Sequence, residues 1–367
     1  MARVEIRRSC NGERYLAASS ILWSGRLHRC RSGNDEPHPT DTCLDLALDG
    51  TSVTSAGIRH LQKFNFFSLR LAGTRVSDEI ADTLSKLPTL NLLDLSDTDV
   101  TSACFATLSK LPYLEKLIIN GIHVAPQDLV QLQCQSLTQL TMLDVTVTRD
   151  DLTILDGLPN LQILQLGNGS RLIESRIDDA CLEKIGSVKN LKYLTLIGTL
   201  ITDAGLMHLR ETSGLETVEL QGCQITDAGL RELIGDHSGL TGLRIDDSDV
   251  TDEGIQELHQ LADFKSLSVS GCRSIGSAGF ESISRMRDLE FLSFARTSFS
   301  DADLLPISEL KSLKHLVIGD TAVSDAGIES LTKHKSLQVL DIIRTKITPD
   351  GIARLRAALP NCDVRIK

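Results

Sequence analysis

The stretch L-K-Y-L-T-L-I-G-T-L-I-T-D-A-G-L-M-H-L, residues 191–209, contains one full copy of a pattern that recurs along the chain. The alternation of Leu194 and Leu196, with Leu191 three residues before Leu194, predicts a short strand with one buried face. Gly198-Thr199 then suits a turn, and Ile201-Thr202-Asp203 predicts the start of a helix. The helix is expected there because threonine caps helices and a first-turn aspartate faces the positive end of the helix dipole.

The pattern returns at a nearly constant interval. The aliphatic residue (once a phenylalanine) before the helical step recurs thirteen times, with eleven intervals of 23–25 residues and one of 30. A fixed period in this range predicts a solenoid whose neighbouring repeats share one core. The thirteen anchor residues are Val53, Val76, Val100, Val124, Val147, Ile177, Ile201, Ile225, Val250, Ile275, Phe299, Val323 and Ile347.

A glycine or aspartate follows the strand in most repeats. These residue types predict a tight turn with positive φ, which most side chains disfavour. The turn residues identified in this way are Gly50, Gly73, Asp97, Gly121, Gly198, Gly222, Asp247 and Gly271.

These repeats resemble the leucine-rich repeat family over about residues 43–367. The step G-C-Q-I-T-D-A-G-L at residues 222–230, with Gly271-Cys272 as a second copy, looks like the cysteine-containing subtype typical of F-box substrate receptors. Most other repeats carry threonine instead of cysteine, which is similar to long bacterial leucine-rich arrays. The resemblance implies an α/β solenoid of about thirteen repeats. It implies a curved right-handed horseshoe, with parallel strands on the concave face and short helices on the convex face.

The chain is predicted to divide into three segments. Residues 41–358 form the repeat array, and residues 359–367 form a C-terminal capping strand, where Val364 and Ile366 alternate with charges. Residues 1–40 do not fit the period and are either short capping strands or loosely ordered. An insertion of about six residues lies within 167–176. It is either a tolerated surface loop or part of a binding face.

Charge and composition exclude some classes of partner. The net charge is −11, and residues 1–40 carry +3, so residues 41–367 carry −14. This sign disfavours nucleic acid and anionic membranes as partners. The N-terminus lacks the apolar stretch of a signal peptide or membrane span. The nine cysteines are scattered without a C-x-x-C pair, which predicts free thiols, a reducing compartment and a cytoplasmic protein.

Residue patterns typical of catalysis are missing from the sequence. There is no phosphate-binding, nucleophile-elbow or dinucleotide-binding motif, and the nine histidines are dispersed. The aspartates of the repeated T-D-A-G step are interpreted as first-turn structural residues, because each recurs once per coil at a helix start. We therefore expect no catalytic residue, no metal ligand, no cofactor and no enzyme activity.

Function is expected on the strand positions that alternate with the core leucines and face the concave side. Ile163, Tyr193 and Ile197 predict an apolar cluster beside the insertion, and Phe291 and His315 predict a second one. Glu219 and Arg244 are expected to form an ion pair. The partner-binding residues predicted in this way are Ile163, Gln165, Tyr193, Thr195, Ile197, Glu219, Arg244, Phe291 and His315.

Three functions fit this sequence. The first is a non-enzymatic, monomeric scaffold that binds another protein through the concave face, because exposed aromatic residues on a rigid face anchor protein interfaces. The second is the substrate-recognition subunit of an F-box-type ubiquitin ligase, which requires a helical adaptor-binding module within residues 1–40. The third is a regulator of an enzyme such as a GTPase, although the leucine-rich proteins of that kind resemble longer repeats.

Overall fold

The computed structural model describes residues 42–123, 129–169 and 175–366, together with the strands at 5–8, 14–17 and 27–29. It consists of two compact units, Met1–Glu174 and Ser175–Lys367. The remainder of the N-terminal segment and residues 170–174 of the predicted insertion lie outside the described residues.

The first unit contains a sheet whose spatial order follows the chain. Strand β3 is antiparallel to β4, and β4 to β9 pair in parallel, while β1 and β2 form a separate antiparallel pair. The strands are β1 Glu5–Arg8, β2 Arg14–Ala17, β3 Leu27–Arg29, β4 Thr42–Ala47, β5 Phe66–Arg70, β6 Leu92–Asp94, β7 Lys116–Ile118, β8 Gln139–Leu143 and β9 Ile163–Gly167. The α-helices are α1 Ser55–Ile58, α2 Ala81–Leu84 and α3 Phe105–Leu108, and the 3₁₀ helices are Arg59–Leu61, Asp78–Ile80, Ser102–Cys104, Leu129–Gln131 and Asp151–Gly157.

The second unit has parallel strands in sequential order, each followed by a helix up to the last. The strands are β10 Tyr193–Ile197, β11 Thr217–Glu219, β12 Gly242–Arg244, β13 Ser266–Ser268, β14 Phe291–Ser293, β15 His315–Val317, β16 Val339–Asp341 and β17 Asp363–Arg365. The α-helices are α4 Asp179–Ile185, α5 Asp203–Leu206, α6 Asp227–Asp236, α7 Asp252–Glu257, α8 Ser277–Ile283, α9 Leu304–Ile307, α10 Ile328–Leu331 and α11 Pro349–Ala358. The 3₁₀ helices are Met207–Leu209, Leu258–Gln260, Asp301–Asp303 and Asp325–Gly327.

Each repeat supplies one strand, and the alternating leucines of the strand form the core. Leu194 and Leu196 of β10 are fully buried, and Leu194 is in register with the buried Val218 of β11. Equal positions of successive repeats therefore stack on one another, as a shared solenoid core requires. The parallel order, with one strand per repeat, confirms the predicted solenoid in each unit.

The turns after the strands adopt the predicted conformation. All eight turn residues identified from the sequence have positive φ, from 52° at Asp97 to 74° at Gly271. Sequence reasoning missed four residues at the same turn, namely Asp144 and Asp320, both with φ 55°, Arg296 with φ 59° and Arg344 with φ 56°. Side chains other than glycine rarely adopt this conformation, and an ion pair accompanies both arginines. Arg296 binds Asp247 at 2.7 Å, and Arg344 binds an aspartate of the preceding repeat at 2.6 Å.

The aspartate of the repeated helical step links a repeat to the next one at six places. Asp203 accepts hydrogen bonds from the Thr226 backbone N at 2.9 Å and from Thr226 Oγ1 at 2.6 Å, while Thr226 caps its own helix. A Cβ atom on Gly229 would lie 2.2 Å from Asp203 Oδ1, so glycine leaves room for that carboxylate. The aspartates are structural, as expected, but they bind the neighbouring repeat. The same link joins Asp78 to Thr101, Asp179 to Thr202, Asp227 to Thr251, Asp301 to Ser324 and Asp325 to Thr348.

A buried histidine makes the stability of the second unit sensitive to pH. His334 is 2% exposed, and neither ring nitrogen has a hydrogen-bond partner among the described residues. Burial lowers the pKa of His334 to about 4. The nearby Leu310 backbone raises this pKa in part, although it does not form a hydrogen bond with the ring. An unfolded histidine titrates near pH 6.5. The unfolded chain therefore binds the proton first, and we expect about 3 kcal/mol of stability to be lost as the pH falls from 6.5 to 4.

His334→Leu is the matched variant for this prediction. The equivalent position of the preceding repeat is Leu310, and that of the following segment is Leu359; both are buried. Urea unfolding of both proteins at several pH values should show that the variant loses less stability than the wild type between pH 6.5 and 4. Parallel pH profiles of the two proteins would contradict the prediction.

Candidate partner-binding site

The predicted contact residues of the second unit lie on the sheet face opposite the core, termed the open face. It consists of the side chains of β10 to β16 that alternate with the buried aliphatic residues, together with the residue that follows each strand. Three rows of equivalent positions run along it, because the strands pair in register. The rows begin with Tyr193, Thr195 and Ile197 of β10.

Two of the predicted residues belong to the first unit. Ile163 and Gln165 lie on β9, and both are half-buried. Gln165 Oε1 accepts a hydrogen bond from Thr141 Oγ1 of β8 at 2.9 Å, in the register that places these residues side by side. Their side chains therefore share the face of the first unit's sheet that alternates with its leucines.

Tyr193 is the exposed aromatic residue at the start of β10. Its side chain is 40% exposed, and its hydroxyl donates a hydrogen bond to Glu216 Oε2 at 3.2 Å. Lys192 Nζ holds the other oxygen of that carboxylate at 2.7 Å. Partial burial and the Glu216 carboxylate raise the pKa of Tyr193, so the phenol stays neutral at physiological pH. The ring of Tyr193 is thus accessible to solvent, and its hydroxyl end is held by the hydrogen bond to Glu216.

The side chains next to Tyr193 on the open face are less exposed than Tyr193 itself. Thr195 is only 6% exposed, and its hydroxyl lies 3.4 Å from Glu219 Oε2 on the next strand. Ile197 and Glu219 are half-buried. A partner would therefore contact mainly the ring of Tyr193, the edge of Ile197 and the Glu219 carboxylate.

The predicted ion pair between Glu219 and Arg244 is wrong. The two residues are in register on β11 and β12, but no ion pair within 4 Å joins them in the part of the chain that the structure describes. Arg244 Nε instead lies 3.8 Å from Oδ2 of Asp246, which follows Arg244 by two residues in the chain. The guanidinium turns along the strand because that carboxylate shares its face.

Sequence reasoning missed a buried polar network next to Arg244. Asp246 is 6% exposed, and its Oδ1 accepts hydrogen bonds from Ser268 Oγ at 2.5 Å and from the Ser270 backbone N at 2.9 Å. Ser270 Oγ in turn lies 2.6 Å from Ser293 Oγ. Burial raises the pKa of Asp246, against the opposing hydrogen bond from Ser268. The alternation of the strand pattern already placed Asp246 on this face and was the signal that could have found it.

Phe291 and His315 lie side by side, as the sequence predicted. They are in register on β14 and β15, and their rings meet edge to face with centroids 6.2 Å apart and planes at 78°. Val317, Val339 and Ile343 are half-buried on the same face. These five residues, Phe291, His315, Val317, Val339 and Ile343, are termed the apolar patch.

The cysteines support packing. Cys104, Cys134, Cys181, Cys223 and Cys272 are buried free thiols, and Cys362 is a half-buried one. Burial raises the pKa of Cys104 to about 12 and also raises the pKa of Cys223 and Cys272. Such thiols are poor nucleophiles and poor metal ligands. The free state is confirmed for these six cysteines and stays a prediction for the other three.

The described residues contain neither a cluster of metal ligands nor a membrane-spanning helix. Within residues 42–123, 129–169 and 175–366 and the three N-terminal strands, no three histidine, cysteine or acidic residues are grouped to hold a metal ion. In the same part of the chain, no helix has the length and apolar content needed to cross a bilayer.

Comparison with known proteins agrees with the observed architecture. A family model described as a leucine-rich repeat matches residues 215–233. An internalin, InlF, from Listeria monocytogenes is similar in structure, with a TM-score of 0.56 and 22% identity over 88% of this chain and 86% of that one. No curated protein sequence matches the chain.

Two further solved structures are more distantly similar. The plant peptide hormone receptor RGFR1, solved in complex with RGF2, has a TM-score of 0.42 and 14% identity over 88% of this chain and 55% of that chain. The leucine-rich repeat protein LIC12759 of Leptospira interrogans has a TM-score of 0.39 and 18% identity over 88% and 95% of the two chains. The fold of the present chain is a leucine-rich repeat solenoid, as its repeats predicted.

Proposed function

We propose that this chain is a non-enzymatic scaffold that binds a partner protein through the open face of the second unit, with Tyr193 as the main anchor. The observation that carries the proposal is the exposure of the Tyr193 ring, because the three residues that follow it on β10 are buried. Aromatic side chains of this kind dominate protein interfaces, because they bury a large area and lose little conformational freedom on binding. Thr195, Ile197, Glu219 and Arg244 supply the surrounding contacts.

Tyr193→Ala is expected to weaken binding of a partner by about 1–3 kcal/mol. The reason is the loss of the contact area of the ring, since the side chain points away from the core. The measurement starts with a partner captured from native lysate on the full chain and identified by mass spectrometry. Isothermal titration calorimetry with the purified partner then compares wild type and variant.

Tyr113→Ala provides the control for this experiment. Tyr113 is also an exposed tyrosine, at 46% exposure, but it lies in the turn before β7 in the first unit. The proposal expects the partner to bind this variant as tightly as wild type. A partner that binds the Tyr193 variant with unchanged affinity would exclude this site.

Location and assembly state belong to the same proposal. The six free cysteines favour a reducing compartment, and we propose a cytoplasmic, monomeric protein that binds neither nucleic acid nor membrane. The charge of −14 on residues 41–367 supports the absence of nucleic-acid and membrane binding.

The F-box alternative has less support. It requires a helical adaptor-binding module within residues 1–40, whereas the described residues of that segment form the strands β1, β2 and β3. No observation on the second unit favours the regulation of a GTPase over binding of any other protein. The scaffold function therefore stands as the proposal.

A further inference from the structure

The carboxylate of Asp341 lies beside the apolar patch of the second unit. Asp341 of β16 is in register with Val317 of β15, and Val339 and Ile343 flank it on the same face. Its Oδ1 accepts a hydrogen bond from the Ile343 backbone N at 3.0 Å. Over residues 175–366, no lysine, arginine or histidine forms an ion pair with it.

The positive charges at the border of the patch are already paired. Lys314 Nζ lies 2.5 Å from Glu290 Oε2, and Arg344 lies 2.6 Å from Asp320 Oδ2. Arg365 of β17 is in register with Asp341, but its Nε lies 2.8 Å from Asp363 Oδ2 instead. The cations at this border therefore leave the Asp341 carboxylate available to accept hydrogen bonds from a partner.

The shape of this surface selects one kind of ligand. A carboxylate beside aliphatic and aromatic side chains suits a side chain with an apolar stem and a cationic end. Arginine fits best, because its planar guanidinium donates two parallel hydrogen bonds to a carboxylate and stacks on aromatic rings. The stem would lie on Val317, since long cationic side chains bury their methylene groups along apolar surface.

The distance between Asp341 and the Phe291–His315 pair limits how far apart the partner's contacting residues can be. Neighbouring strands are about 4.8 Å apart, so a point between Phe291 and His315 lies about 7 Å from Asp341 across the strands. Asp341 is also two residues further along the register, about 7 Å along the strands, so the full separation is about 10 Å. In an extended chain, side chains two residues apart point to the same side and are also separated by about 7 Å. The long arginine side chain covers the remaining distance, so an arginine bound to Asp341 allows an apolar side chain two residues away in the segment to reach the Phe291–His315 ring pair.

We infer that the apolar patch and Asp341 together bind an extended segment of the partner protein that carries an arginine and, two residues away, an apolar side chain. This inference rests on the proposed function, because it names the chemistry of a partner bound to the open face. It assigns a second contact region, separate in sequence from the Tyr193 region.

A displayed library of random dodecapeptides provides the probe. The library is selected on the immobilised full chain and counter-selected on Asp341→Asn, in which asparagine keeps the oxygen that accepts from the Ile343 backbone N. The enriched sequences are expected to share an arginine with an apolar residue two positions away. A synthetic enriched peptide, followed by fluorescence anisotropy, should lose about tenfold or more of its affinity when Asp341 becomes asparagine or its arginine becomes citrulline.

Asp350→Asn is the control variant. Asp350 is an exposed carboxylate in the first turn of α11, and its replacement should leave the affinity of the peptide unchanged. Absence of enrichment, enriched peptides without a basic residue, or equal binding to wild type and Asp341→Asn would each overturn the inference. A native partner that requires Tyr193 but tolerates Asp341→Asn would remove the arginine site and leave the scaffold function standing.

Discussion

Replacing Leu194 by alanine is expected to lower the free energy of unfolding by about 2–5 kcal/mol. Leu194 is fully buried in the middle of β10, and its register partner Val218 is also fully buried. Alanine removes apolar contact area and leaves a cavity, because a close-packed core relaxes only partly around a missing side chain. The cost is therefore larger than the transfer free energy of the lost methyl and methylene groups alone.

Urea unfolding followed by far-ultraviolet circular dichroism measures this effect. The adjacent Tyr193→Ala variant serves as the control, because that side chain is 40% exposed on the opposite face of the same strand. Its stability should change by less than about 1 kcal/mol. Equal losses in the two variants would show that the assignment of inner and outer faces on β10 is wrong.

Gly186→Ala is expected to destabilise the second unit by about 1–3 kcal/mol, at the upper end of that range. Gly186 follows α4, and a Cβ atom there would lie 2.0 Å from the backbone oxygen of His208 in the next repeat. A carbonyl oxygen of the main chain cannot rotate away as a side chain can, so the two repeats must separate locally.

Gly235→Ala is the control for this close approach. Gly235 lies near the C-terminal end of α6, two repeats later, and a Cβ atom added there would have no other atom within 4 Å. Alanine there should stabilise the protein by about 0.5–1 kcal/mol, because glycine in a helix loses more backbone entropy on folding. Thermal unfolding of both variants tests the opposite signs; two changes of the same sign would argue against the contact with His208.

The repeat period was sufficient to predict the fold. Apolar residues at constant spacing determine which side chains stack, so β10 and its successors could be placed from the sequence before any contact was known. The turn conformation was predictable where glycine or aspartate marked it, as at Gly271. It was missed at Arg296, because an arginine at positive φ depends on Asp247 two repeats earlier, and only the folded register brings the two together.

The candidate site was predictable in position but not in detail. Strand alternation placed Tyr193 and Phe291 on the open face, and the structure agrees. The partner of Arg244 could not be predicted, because two carboxylates lie within its reach and the choice depends on side-chain torsions. The burial of Asp246 likewise depends on serines contributed by two later strands.

The link from each T-D-A-G aspartate to the next repeat has a consequence for how such a chain can change length. Six joints take their carboxylate from one repeat and their hydroxyl from the following one, as Asp203 and Thr226 do. Duplication or loss of a segment of whole period therefore recreates a complete donor–acceptor pair at the new junction. A change of any other size moves the threonine or serine hydroxyl away from the aspartate, which then keeps at most a backbone N–H donor, as Asp252 does at Gly276. We therefore expect an array of this kind to tolerate gain or loss of whole repeats of 23–25 residues better than changes of other lengths.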